Sequence, residues 1–383
     1  MLHTSVIEIS RLALQNNLQF IKGYLNPDVK LSCVVKGNAY GHGLETYIPL
    51  AEASGVDHFS VFSTDEAFRV KQVCNENTTV LIMGYVDNED VEWAINEGVE
   101  FYIFEMDRLN VALKMAEKSG IKALVHLEVE TGMNRTGFDA KSFKQALTLL
   151  KKFPESFSFE GVCTHFSGAE SIPNYVRVHN QIKKFNQFKK ILEKEGLQPR
   201  RYHTACSAAA IAYPKTQMDM VRIGILQYGY WPTQETFIHF IHKNGQPRQP
   251  LQRILTWKTK VLNVKAIKTG EFIGYGTTYL AQQDKKIATI PLGYSHGFPR
   301  SLSNVGRVLV GGKRVGVIGI VNMNILTVDV TSVDGVEKGD EVVVIGRQGE
   351  LETTVAAFSE LSAQVNYETL ARLPMNIPRV VVD

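Results

Sequence analysis

Four cysteines in 383 residues (Cys33, Cys74, Cys163 and Cys206) are too few and too widely spaced to read as a disulfide framework. They also lack the close pairing of a structural metal site, so no bound metal is expected. They read as buried free thiols of a chain kept in a reducing, cytoplasmic compartment. An excess of one charge is missing as well. The net charge is only +3, which gives no field that would recruit nucleic acid or an anionic membrane surface. No stretch approaches the roughly 18 uninterrupted apolar residues of a membrane span. Met1-Leu2-His3-Thr4-Ser5 shows no basic run followed by an apolar core, so no signal peptide is expected. What remains is an ordinary globular composition, 44% hydrophobic and 21% charged, long enough for two domains at roughly 100–200 residues each.

The first 230 residues or so alternate short apolar runs with longer helical patterns. Strands are predicted at Leu31–Lys36, His58–Ser63, Thr79–Gly84, Val99–Phe104, Lys122–Glu130, Ser158–Phe166, Tyr202–Cys206 and Met220–Leu226. Helices are predicted at Leu44–Ser54, Thr64–Cys74, Asn88–Glu97, Met106–Ser119, Ala140–Lys152 and Tyr175–Glu195. Eight such repeats of near-continuous apolar strands point to an α/β fold with a (β/α)8 TIM barrel. From Ile254 on, shorter glycine-punctuated runs predict a mainly antiparallel β domain. Those runs are Thr256–Ala266, Gly270–Tyr279, Lys286–Leu292, Arg307–Val310, Val315–Val321, Leu326–Val330 and Asp340–Ile345, with one helix at Thr353–Leu361. The boundary is expected near residues 232–250, where Pro232, Asn244-Gly245, Pro247 and Pro250 interrupt regular structure. We divide the chain into a barrel, 1–236, and a β domain, 237–383.

In such a barrel the chemistry gathers at the C-terminal ends of the strands. Lys36 ends the first predicted strand and opens a loop with glycines at 37, 41 and 43, which let backbone pass close to a ligand. A lysine whose stem is packed by strand neighbours can lose its proton and form a Schiff base. On spacing alone Lys36 is equally a surface lysine beside a glycine loop, Tyr275 a tyrosine in a Gly-X-Gly turn, Arg222 an ion-paired arginine in the barrel mouth, and Ser207 a helix N-cap.

The ordered pattern is more specific. Val35-Lys36-Gly37-Asn38-Ala39-Tyr40-Gly41-His42-Gly43 resembles the lysine segment of the alanine racemase family, and seven further segments follow in the family's order. They are Thr131–Gly137, Thr164–Phe166, Ala205–Ala209, Val221–Ile225, Gly274–Tyr279, Pro291–Tyr294 and Asn366–Glu368. The resemblance implies pyridoxal 5'-phosphate (PLP) as cofactor, an amino-acid substrate and a head-to-tail homodimer whose β domains complete each other's active sites. Carried over residue by residue, Lys36 looks like the Schiff-base lysine and the base for one face of the substrate Cα. Tyr275 of the second subunit looks like the base for the other face. A free tyrosine titrates near 10 and needs tuning to act near neutrality, and His165 and Arg222 resemble the groups that tune it. Arg222 also looks like the partner of the cofactor's ring nitrogen, toward which a guanidinium can only donate. Arg135 resembles the residue that binds the cofactor's phenolic oxygen and the substrate carboxylate. Tyr40, Ser207, Gly224 and Ile225 match the phosphate-binding set, and Tyr294 and Met323 belong to the substrate entrance.

The chain departs from the family pattern in places. Gly37 stands where alanine is usual. Glu128 stands where many members carry a carbamylated lysine, seven positions before Arg135, and a native carboxylate there is expected to hold Arg135 directly. Asn322-Met323-Asn324 replaces Cys-Met-Asp, Ser295-His296 replaces Ala-Asp, and Met375 aligns with a pocket tyrosine. These changes make the entrance less acidic and more flexible, and leave open a racemase with another or a broader substrate range. A PLP-dependent decarboxylase would carry a cysteine in its β domain, and residues 237–383 hold none. A PLP homeostasis protein would lack the β domain. A degenerate paralogue that binds PLP without turnover is the other alternative.

Overall fold

The computed structural model describes residues 3–245, 248–362 and 366–383; Pro247, read above as part of the boundary, lies outside them. Eight apolar runs pair side by side in parallel. In spatial order they are Arg201–His203, Phe157–Cys163, Ala123–Glu128, Glu100–Ile103, Thr79–Tyr85, His58–Ser63, Lys30–Val34 and Met220–Ile223. The two end strands meet where the Arg222 N–H donates to the Ala205 carbonyl at 3.0 Å, and Cys206 and Arg222 form a parallel bridge. The expected barrel is therefore present. Its strands read as continuous apolar runs because both faces are covered: Phe59, Leu81, Phe101, Val125, Leu127, Val162 and Val221 are all buried.

The helices start and stop where their side chains and glycines dictate. Met106–Ser119 opens under the Glu105 carboxylate, which accepts from the Asp107 and Arg108 N–H groups, and closes on Gly120 with φ 69°. Ala140–Lys152 is capped by Asp139 in the same manner, and Tyr175–Glu195 ends on Gly196 with φ 64°. Among the described residues no helix is long and apolar enough to cross a membrane.

The β unit contains one sheet in the order Lys313–Gly316, Arg307–Val310, Glu341–Gln348, Leu255–Lys260, Ser5–Ser10 and Arg379–Val382, with Leu351–Thr353 added beside Glu341–Gln348. A second sheet joins Asn263–Ile267, Lys285–Ile290 and Leu326–Asp329, all antiparallel. Trp257, Leu309, Val343 and Phe298 are buried in this unit. Its residue membership does not follow a single cut at 236. Contacts place the segment ending at Leu12, Gly37–Thr46 and the chain from Arg253 in the β unit, and Ala13–Lys36 with Tyr47–Gln252 in the barrel.

Several elements differ from their expected form. The stretch read as an irregular boundary contains a helix, Gln234–Asn244, which Thr233 caps by accepting from the Thr236 N–H. Gly270–Tyr279 is not a strand; it is a loop held by one bridge, Phe272 to Leu280, because Gly270, Gly274 and Gly276 all take positive φ. Thr256–Ala266 divides into Leu255–Lys260 and Asn263–Ile267, which belong to different sheets. Ser5–Ser10, Arg11–Tyr24 and Arg379–Val382 are elements that the sequence reading did not mark.

Candidate active site at the barrel mouth

The first barrel strand ends at Val34, and Lys36 follows it rather than closing it. The backbone then makes a left-handed turn: φ is 63° at Gly37, 56° at Asn38, 53° at Ala39 and 50° at Tyr40. For residues with a Cβ this conformation costs roughly 1–2 kcal/mol each, so it persists only where neighbours hold it. The Gly41 N–H donates to the Gly37 carbonyl and the Gly43 N–H to the Asn38 carbonyl, both at 2.9 Å. His42 Nδ1 lies 2.9 Å from both the Ala39 and the Tyr40 carbonyl oxygens. Burial pushes the His42 imidazole down to about 4, so it is neutral near pH 7 and donates Nδ1–H to that carbonyl pair. Gly41 has no room for a side chain, since a Cβ there would lie 1.9 Å from the Leu370 carbonyl oxygen. Gly41→Ala is therefore expected to destabilise this turn by about 1–3 kcal/mol, read as a lower urea midpoint for unfolding.

Lys36 is open to solvent, yet its amine is crowded by protein. Partial burial first, then the Arg135 and Arg222 charges, lower its pKa from the ordinary lysine value, against a smaller opposing pull from Glu66. His165 is pushed down to about 3 by burial and by the charges of Arg222, Arg135 and Lys36. The same three cationic groups thus act on one another across this end of the barrel. His165 is expected to stay neutral from pH 5 to 8, so its imidazole NMR signals should not move over that range. A folded-state value below the unfolded 6.5 means that the unfolded chain binds more protons between about 3 and 6.5, so stability contributed by neutral His165 is lost as pH falls through that window.

Arg222 is 5% exposed and held from two sides. Nη1 donates to His203 Nδ1 at 2.6 Å and to the His203 carbonyl at 2.9 Å, and Nη2 donates to the Thr164 carbonyl at 2.9 Å. Thr164 in turn hydrogen-bonds Thr131 through their hydroxyls at 2.8 Å, which ties together three of the segments singled out in the sequence. Ser207 is the first residue of a short helix whose N-cap position is Cys206, so its hydroxyl does not cap that helix. Its Oγ accepts the Gly224 N–H at 3.0 Å, which directs the hydroxyl's own proton elsewhere. Ile225 opens the adjoining 3-10 turn, Ile225–Tyr228.

Glu128 does not clamp Arg135. Its carboxylate accepts the Thr136 hydroxyl at 2.7 Å, and among the described residues there is no ion pair between Glu128 and Arg135. Burial raises the Glu128 carboxyl above the ordinary range, outweighing the downward pull of the Thr136 hydrogen bond and the Arg135 charge. The expected direct hold on Arg135 is therefore corrected to a hold on its neighbour Thr136.

The remaining predicted residues lie in the β unit. Tyr40 stacks at 6.0 Å from the Tyr367 ring. Tyr275 is 72% exposed, lifted on a turn in which Gly274 and Gly276 have φ of 77° and 67°. Tyr294 and Met323 are brought together by backbone pairing: the Tyr294 N–H donates to the Asn322 carbonyl and the Ser295 N–H to the Met323 carbonyl, both at 3.0 Å. Asn324 Nδ2 donates to Ser295 Oγ at 2.9 Å, so two of the departures from the family pattern meet in one contact.

Comparison with known proteins covers nearly the whole chain. The family models for alanine racemase match residues 9–232 with its N-terminal domain and residues 254–381 with its C-terminal domain. The chain belongs to the alanine racemase family. It is 33% identical over 385 residues to the alanine racemase of Leptospira interrogans, covering 100% of this chain and 96% of that protein. To the alanine racemase of Methanococcus maripaludis it is 33% identical, covering 99% of this chain and 98% of the other. The crystal structure of alanine racemase from Bacillus anthracis with bound L-Ala-P superposes with a TM-score of 0.90 at 30% identity, covering 100% of this chain and 96% of that one.

For this member of the alanine racemase family, the segments quoted from the sequence supply Lys36, Arg135, His165, Ser207, Arg222, Gly224 and Ile225 to the barrel. What sequence reasoning missed lies beneath them. His58, Glu100, His126 and His203 are buried in four different barrel strands. Their signal was present: each is a titratable residue placed within a barrel strand.

Proposed function

We propose that the protein interconverts L-alanine and D-alanine with PLP, by a two-base reaction in a cytoplasmic homodimer. The observation that carries this reading is Lys36 at the end of the first barrel strand, with its pKa lowered and Arg135 and Arg222 within electrostatic reach. The donor set fits the cofactor group by group. An amine whose pKa is lowered suits an aldehyde, a hydroxyl with its proton directed outward suits a phosphate, and a permanently protonated guanidinium suits a ring nitrogen. Lys36 would hold the aldehyde end, with Ser207, Tyr40 and the Gly224 and Ile225 backbone at the phosphate, and Arg222 at the ring nitrogen. Arg135 would serve the phenolic oxygen and the substrate carboxylate. When bound, PLP supplies the electron sink that acidifies the substrate Cα–H.

The residues then divide the proton work. Lys36 Nζ takes or delivers the Cα proton on one face, and the Oη of Tyr275 from a second copy of the chain serves the other. The exposure of Tyr275 supports its reaching out of its own subunit. Arg222 cannot accept a proton, so it could only donate to the ring nitrogen of a bound PLP, which would discourage side reactions.

Proton NMR of pooled L-amino acids in deuterated water, with the PLP-loaded protein, tests this reading. Loss of the alanine Cα–H signal with appearance of D-alanine is expected, and no exchange of any amino acid would overturn it. A second reading, a racemase with another or broader preference, is favoured by the exposed Met323 and Met375 and by Asn322, Asn324 and His296. Faster exchange of a longer side chain in the same pool would select it.

A further inference from the structure

Behind Arg222 a continuous hydrogen-bonded chain crosses the barrel interior. His203 Nε2 lies 2.8 Å from His126 Nδ1, and His126 Nε2 lies 2.8 Å from Glu100 Oε2. From the other side His58 Nε2 lies 3.3 Å from the same carboxylate oxygen, and His58 Nδ1 lies 2.9 Å from Ser32 Oγ. Ser32 Oγ is 2.6 Å from Ser60 Oγ. Arg201 Nη1 closes the carboxylate's outer side at 3.1 Å. His58, His126 and His203 have no exposed surface, and Glu100 has 3%.

The direction of every proton in this chain is fixed by its two ends. Arg222 can only donate, so His203 Nδ1 accepts. Burial, with the nearby Arg222 charge, drives the His203 pKa well below its ordinary value. His203 is therefore neutral and carries its proton on Nε2. That proton points at His126, whose Nδ1 must accept and whose Nε2–H must donate to Glu100. Burial alone would favour a protonated Glu100, but hydrogen bonds from His126 and His58 outweigh it and hold the carboxyl well below the usual range. A carboxylate at one end and a guanidinium at the other thus select one tautomer for each ring between them.

The backbone makes room for this pair of rings. Gly161 lies in register with His126 on the adjacent strand, next to a bulge between Val125 and His126. A Cβ at Gly161 would fall 2.2 Å from His126 Nδ1 and 2.9 Å from His203 Nε2, the two atoms of the shared hydrogen bond. The rings meet edge to face at 4.9 Å.

We propose that Glu100 is a positioning residue for Arg222: as the acceptor at the far end, its carboxylate holds His126 and His203 in the tautomers that leave His203 Nδ1 unprotonated toward the guanidinium, and so fixes the guanidinium's place in the barrel mouth. The functional half of this inference rests on the reading of Arg222 as the ring-nitrogen partner. Without the carboxylate only Arg222 still favours these tautomers; in Glu100→Gln the amide oxygen stays on Arg201 and the amide N–H meets His126 Nε2 donor against donor, which drives the opposite pair and turns a His203 N–H toward Arg222. Outer partners that orient metal-bound histidines are worth about 10–100-fold in function, and a loss of the same order is expected here.

The test is 15N NMR of the histidine rings in the full-length protein, wild type and Glu100→Gln, together with alanine racemisation of the PLP-loaded forms. In the wild type both His126 and His203 are expected to carry hydrogen on Nε2 only. A proton on Nδ1 of either ring overturns the proposal, and this arm needs neither turnover nor a stable variant. In Glu100→Gln the His126 signals are expected to change tautomer, with kcat down about 10–100-fold. A folded variant that keeps the wild-type tautomers, or changes them with kcat unaltered, also overturns it. Failure of the underlying functional reading shows separately, as a wild type with the expected tautomers that racemises nothing.

Discussion

Lys36→Ala is expected to lower racemisation by more than about 10⁴-fold, because two functions leave with one side chain. The first is capture of the cofactor. An ordinary lysine titrating near 10.5 is only about 0.03% neutral at pH 7, and each unit of lowering multiplies that fraction about tenfold. Burial and the Arg135 and Arg222 charges lower the Lys36 pKa in that direction, so a larger share of this amine is neutral and able to react with an aldehyde than of an ordinary lysine. The second function is proton transfer at Cα. Borohydride reduction followed by peptide mass analysis separates the two: the wild type should carry a pyridoxyl group on Lys36 and the variant none. Turnover surviving in Lys36→Ala would remove the lysine from the mechanism.

Tyr275→Phe is expected to cost about 10²–10⁴-fold in racemisation, the usual span for one general acid or base. The loss should be one-sided. Solvent deuterium should still enter Cα of the enantiomer whose proton faces Lys36, while exchange from the other enantiomer stops. Because Tyr275 is exposed, the urea midpoint should stay within about 0.5 kcal/mol of wild type. A mixed dimer distinguishes a tyrosine given to the partner from one used at home. When Lys36→Ala and Tyr275→Phe chains are mixed at equal amounts, random pairing gives heterodimers with one doubly defective site and one intact site. About a quarter of wild-type activity should return. If each chain used its own Tyr275, mixing would restore nothing.

Much of the barrel was legible because its strands are buried on both faces and read as apolar runs; His58–Ser63, Met106–Ser119, Ala140–Lys152 and Tyr175–Glu195 have the expected limits. The β unit was harder to read. Gly270–Tyr279 alternates like a strand, but three positive-φ glycines turn it into a loop, and propensity does not see where sheets divide. The site residues of the barrel were legible through ordered resemblance, whereas the hold on Arg135 was not, because charge at a position does not say which way a carboxylate points. Glu128 turned to Thr136. Each member of the chain of histidines was marked as a titratable residue in a strand, but their connection was not legible: Glu100, His126 and His203 are far apart in sequence, and only parallel register brings them into line.

The first strand, Ser5–Ser10, lies between Leu255–Lys260 and Arg379–Val382. On a ribosome adding about 5–20 residues per second, roughly 10–50 s pass between Ser5–Ser10 and its first partner, Leu255–Lys260, being made. Throughout that interval Val6, Ile7 and Ile9 have no native edge to join. The barrel's own strands, in contrast, emerge next to their neighbours nearly in spatial order. The nascent chain should therefore complete the barrel while its own beginning still waits. The sheet that takes in Ser5–Ser10 is then assembled last, after Arg379–Val382 has been released.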